Sequence, residues 1–106
     1  MSRWLFKVLK RVRSLAAAHN VQFTLKALRE LAGLESGLDQ EDACVVQAEL
    51  SAKDSAGRVA SATTGEWMYL FKPQVSGTIL YIKLILRNNC VVVSFHEDED
   101  EVDEED

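Results

Sequence analysis

Proline is nearly missing from this chain: Pro73 is the only one in 106 residues. It marks a break at the end of an expected strand. Cysteine is also scarce, with Cys44 and Cys90 alone. Two cysteines so far apart offer neither metal-ligand spacing nor a disulfide scaffold. They fit a reduced, cytoplasmic protein, and Cys44 reads as a small core hydrophobe. No run is long and apolar enough to span a membrane. The N-terminus, MSRWLFKVLKRVRSLAAAH, scatters Arg and Lys where a secretory signal needs an uncharged stretch. No Gly-rich phosphate loop, nucleophile elbow or Cys/His pair at a helix start is present. No Asp/Glu/His cluster has metal-ligand spacing, so no metal and no cofactor are expected.

Charge is present but unevenly spread. The net charge is -5, with 12 Lys and Arg against 17 Asp and Glu. Residues 97–106, EDEDEVDEED, hold nine of the acidic residues, which leaves the other 96 at 12 minus 8, or +4. The chain reads as a single domain over 1–96 followed by an acidic, disordered tail over 97–106. The tail is either solubilising or a nucleic-acid mimic that lies over a basic face.

The first half has helical periodicity. Trp4, Leu5, Val8, Leu9, Val12, Leu15 and Ala16 form one stripe of a helix over 3–17, with Arg3, Lys7, Lys10 and Ser14 opposite. Such a basic amphipathic helix suits a core-facing role or a membrane surface, and the acidic tail disfavours the latter. Residues 20–24 are a link or an edge strand. Helices follow over 25–34 and 40–50, the latter capped by Asp39 and burying Ala43, Val45, Val46 and Leu50. From residue 51 the period becomes two. Strands are expected over 58–62, 66–72, 78–87 and 90–96. This is an α+β domain, with N-terminal helices packed on one face of an antiparallel sheet.

The last two strands fix a register if Asn88-Asn89 is a two-residue turn. Arg87 then pairs with Cys90, Leu86 with Val91, Leu84 with Val93, and Ile82 with Phe95. Those apolar pairs form the core face. On the other face Ile85 meets Val92, Lys83 meets Ser94, and Tyr81 meets His96. The polar residues are therefore one patch on the face turned from the helices. Histidine can move a proton near neutrality, Lys attracts phosphate, and Tyr can donate a hydrogen bond or stack on a base. This set suits metal-free RNA cleavage, in which the 2′-hydroxyl attacks its own phosphate. A bland reading competes: one face of an antiparallel sheet is often polar because water touches it.

A resemblance bears on that choice. GLD and D-x-C at the third helix, LSAKD after it, TTGEWMYLFKP, GTILYIK and VVVSF stand in this order in the chain. The segment resembles the MqsR toxin family (motility quorum-sensing regulator) from about residue 10 to residue 97. The resemblance implies a RelE-like fold and an mRNA interferase, a metal-independent endoribonuclease toxin of a type II toxin–antitoxin system. Its implied partners are mRNA and a cognate DNA-binding antitoxin. The family's catalytic strand tyrosine falls on Tyr81, with Lys83 at the family spacing. Lys72 stands where the family has an Arg. Ala56-Gly57 replaces a Tyr-Lys pair, and Met68 replaces a Gln. Arg58 is the nearest substitute for the missing Lys, provided a bulge at Gly57 turns it toward Tyr81. His96 falls where RelE-like ribonucleases often present a proton donor. The expected catalytic set is His96, Tyr81, Arg58 and Lys83. Lys72, Ser94 and Arg87 are RNA-binding candidates, and Glu66 is a candidate base or a solvated strand-end residue. Trp67 is expected in the core. The alternative to an active nuclease is a degenerate module that binds RNA or an antitoxin without cleavage.

Overall fold

A computed structural model describes residues 2–98. The first helix, α1, runs over Arg3–Ala17 and buries Leu5, Val8, Leu9, Val12 and Ala16, the stripe its spacing predicts. A short strand follows, β1 over Val21–Phe23. Helix α2 spans Leu25–Ala32, and its Thr24 cap accepts a hydrogen bond from the Ala27 N–H. Helix α3 spans Gln40–Ala48 and starts at a capping box, in which Asp39 and Asp42 each accept from the other's backbone N–H. Such a box satisfies two amide donors that a helix start leaves open. Its buried side is Ala43, Cys44 and Gln47, whereas Val45 is exposed. Gln47 is admissible in the core because its amide donates to the Ala43 carbonyl and its oxygen meets the Cys90 sulfur.

A 3-10 turn over Ala52–Asp54 leads into the sheet strands. These are β2 (Ser55–Ala60), β3 (Trp67–Phe71), β4 (Gln74–Val75), β5 (Thr78–Leu86) and β6 (Cys90–Glu97). The main strand order is β1-β6-β5-β3-β2, with β4 added to β5. All neighbours are antiparallel except β1, which pairs with β6 in parallel. The fold is thus α+β with N-terminal helices and a mixed, mostly antiparallel sheet. Phe71, Ile82 and Phe95 lie side by side across three strands and are fully buried. They form the floor of a core shared with Leu5, Val8, Leu9 and Val12 of α1.

The hairpin register differs from the expected one near its turn. Leu86 pairs with Cys90, so the loop holds three residues, Arg87, Asn88 and Asn89, rather than two. Leu84 then pairs with Val92 and Ile85 with Val91. Cys90 and Val92, not Val91 and Val93, therefore face the core. A bulge opposite Lys83 and Leu84 leaves Val93 as the extra residue and shifts the register back by one. From there Lys83–Ser94, Ile82–Phe95 and Tyr81–His96 pair as predicted. The last strand continues to Glu97, and the Asp98 N–H donates to the Ile79 carbonyl. The acidic stretch expected to be disordered lies, from residue 99, outside the described residues.

Candidate active site on the open sheet face

Residues two apart on a strand share a face. Tyr81, Lys83 and His96 are out of phase with Ile82, Leu84 and Phe95, so they point away from α1. Leu70 pairs with Lys83 and Phe71 with Ile82; Lys72 follows just past β3, and its Nζ reaches the Asp98 carboxylate after β6. The open face thus carries Lys72 on β3's end, Tyr81 and Lys83 on β5, and Ser94 and His96 on β6.

Tyr81 and His96 are in direct contact. Their rings stack with centroids 5.0 Å apart and 14° between planes. The His96 Nδ1 lies 2.7 Å from the Glu97 carbonyl oxygen. A carbonyl only accepts, so this contact needs the proton on Nδ1. That leaves Nε2 as the atom that can take or give a proton. Both side chains are half-buried, as is Lys83. The pair is supported by packing yet reachable from solvent.

The cations around this pair are unequally available. Lys83 stands opposite Ser94 on the face. The Lys72 Nζ lies 3.5 Å from the Asp98 carboxylate, so an acidic group already faces it. Ser94 itself is buried under a residue from α2. Lys26 places its Nζ 2.8 Å from the Ser94 Oγ and 2.8 Å from the Glu30 carboxylate. Lys26 and Glu30 were not anticipated from the sequence, because their i,i+4 spacing reads as an ordinary surface pair on a helix.

Two expected members sit at the far end of the face. Arg87 donates from Nε and one Nη to the two carboxylate oxygens of Glu66, at 2.9 and 2.8 Å. Hydrogen bonding from Arg87, with help from Thr64 and the Arg87 charge, outweighs desolvation and lowers the Glu66 carboxyl to about 2. A carboxylate held that firmly is a weak base. Six strand positions separate Glu66 from Lys72, roughly 20 Å at the usual rise per residue. The structure does not bring Glu66 or Arg87 to Tyr81.

Arg58 is on the wrong side for the expected role. A bulge does form between Ser55 and Arg58, with Gly57 at φ +96°. Its effect is the reverse of the one expected. Ser55 pairs with Phe71, so unbroken pairing would set Arg58 opposite Met68 on the open face. The extra residue instead pairs Arg58 with Tyr69, on the helix side. There its guanidinium lies 3.9 Å from the Trp67 ring centroid and 4.6 Å from that of Trp4. Trp4 also stacks on Tyr69. Trp67, expected in the core, is 44% exposed and forms the outer wall of this sandwich.

The two cysteines are unpaired and buried. Burial, then the charge of Cys44, pushes the Cys90 thiol up to about 12, so it carries no thiolate for nucleophilic chemistry. Among the described residues no three His, Cys, Asp or Glu side chains converge as a metal site. Among them, too, no helix is long and apolar enough to cross a membrane.

A sequence model for a family described as motility quorum-sensing regulator, toxin of MqsA, matches residues 7–97. The match covers every strand and all but the start of α1. No curated protein matches the chain.

Proposed function

The chain belongs to the family of motility quorum-sensing regulator toxins, which act in toxin–antitoxin systems, and from that membership we propose that it is a metal-independent endoribonuclease acting on mRNA in the cytoplasm. The RelE-like reading of its fold, and a DNA-binding antitoxin as its partner, belong to the same proposal. The observation that carries it is the stacked Tyr81–His96 pair beside Lys83 on an open sheet face.

The chemistry follows from that arrangement. Lys83 and Lys72 hold the non-bridging oxygens of a phosphodiester and stabilise the charge that builds there. The neighbouring 2′-hydroxyl attacks phosphorus and the bond to the 5′ oxygen breaks. His96, protonated, donates from Nε2 to that leaving oxygen. The Tyr81 hydroxyl hydrogen-bonds the phosphate, and its ring keeps the imidazole in plane. Glu66 is remote and tied to Arg87, so water accepts the 2′ proton. The products are a 2′,3′-cyclic phosphate and a free 5′-hydroxyl.

The second reading is an RNA- or antitoxin-binding module without cleavage. It is favoured by one observation: Arg58 is committed to two indole rings and Lys72 to Asp98, which thins the cationic set. Incubating the purified protein with RNA separates the two. Cleavage that resists a chelator and is lost in His96→Ala and Tyr81→Phe is expected. Intact RNA with measurable binding would favour the second reading.

A further inference from the structure

Strand β1 covers only the first part of the β6 edge, Cys90 to Val92. Beyond Val92 the edge would be open, and α2 takes over. The Thr24 N–H donates to the Val92 carbonyl at 3.0 Å, and the Thr24 hydroxyl donates to the Val93 carbonyl at 3.4 Å. Lys26 donates to the Ser94 hydroxyl at 2.8 Å. The Glu30 Oε1 accepts from the Phe95 N–H at 2.9 Å, while its Oε2 accepts from Lys26 at 2.8 Å. Four successive residues of β6 are therefore stitched to α2, and the next residue is His96.

The stitch at Glu30 is a strong one. A carboxylate accepting from a backbone N–H and an ammonium makes two charge-assisted hydrogen bonds. Burial acts to raise the Glu30 carboxyl; the Lys26 and Phe95 hydrogen bonds, with the charges of Lys26 and His96, outweigh it and leave the group below its usual range. Glu30 also lines a shallow recess together with His96 and Glu97. A sheet edge can be protected by a short strand or a surface lysine alone. Here an ion pair of a half-buried Glu30 with an exposed Lys26 does it, at the residue before the candidate proton carrier.

We infer that Glu30 is the positioning residue of His96. Through the Phe95 N–H and the Lys26 ammonium it fixes the strand immediately before the imidazole. The Nδ1–H then stays on the Glu97 carbonyl and Nε2 stays toward the open face. Glu30 touches no reacting atom, so it acts on rate through geometry and not through substrate binding. The inference rests on the proton-carrying role proposed for His96.

Two measurements test it separately from that role. The first is the ¹⁵N spectrum of the His96 imidazole in the full chain without RNA. Wild type is expected as the Nδ1–H tautomer when neutral, Glu30→Ala as a mixture of tautomers. Glu30→Gln keeps an acceptor for the Phe95 N–H and is expected to restore the wild-type signature. The second is steady-state RNA cleavage, where Glu30→Ala should lower kcat by roughly 10- to 100-fold with KM nearly unchanged. A folded Glu30→Ala with wild-type tautomer and kcat would overturn the inference. If Glu30→Ala does not fold, Lys26→Met decides, since it loosens the same clamp without stranding the Phe95 N–H. A wild-type tautomer in that variant would also overturn it. If wild type cleaves no RNA, the nuclease reading fails and the spectrum alone judges Glu30.

Discussion

Arg58 illustrates how much a single inserted position decides. Gly57, at φ +96°, sits at the bulge that the sequence led one to expect there. The sequence does not say toward which face a bulge turns the next side chain; that depends on where pairing resumes. Pairing resumes with Tyr69, so Arg58 joins Trp4 and Trp67. Its role is then structural. Arg58→Ala should lower unfolding free energy by about 1 to 2 kcal/mol, the scale of cation–π contacts on two rings, and leave RNA cleavage almost intact. Chemical denaturation and a cleavage assay on the same sample check both halves. Glu66 makes a second residue-scale prediction. Its folded carboxyl is lowered to about 2 from an ordinary 4.5, so the folded state favours the ionised form. The resulting stabilisation is complete above the ordinary value and disappears as pH falls through the folded one. Melting temperatures of wild type and Glu66→Gln should differ at pH 7 and converge as pH falls from 4.5 toward about 2.

At the scale of elements, the period change near residue 51 and the stripe on α1 made the architecture readable. The α3 burial pattern was less so. Gln47 is polar, and only its bonds to Ala43 and Cys90 make it a core residue. The hairpin shows why a correct pairing can come from an incomplete register. A loop one residue longer than expected and a bulge one residue wide cancel, and Tyr81 meets His96 after all. Nothing in VVVSF marks the bulge, since it carries no glycine. Lys26 and Glu30 were equally silent, because their partner is 65 or more residues away in sequence. The capping box of α3 is a local feature that the sequence did announce through Asp39. Asp39→Ala should lower the urea midpoint of unfolding by removing the cap, with no effect on the open face.

For the whole molecule, charge is the organising quantity. The body carries +4 and the stretch from residue 97 carries nine acidic residues. Asp98, the last described residue, already faces Lys72 at 3.5 Å. A competitor for phosphate is thus built into the same chain. Asp98→Asn together with removal of residues 99–106 should tighten RNA binding, most at low salt, where charge is least screened. A titration at two ionic strengths reads this directly, and an affinity that does not change would leave the tail a solubilising role.

The proposed nuclease activity has Tyr81 and His96, set together on the sheet face, cut RNA through the 2′-hydroxyl. Analysis of the RNA ends made by the purified protein in the presence of a chelator tests it most directly. Wild type is expected to leave 2′,3′-cyclic phosphate and 5′-hydroxyl ends, and His96→Ala to leave none. Cleavage leaving 5′-phosphate ends, or cleavage undiminished in His96→Ala, would contradict it.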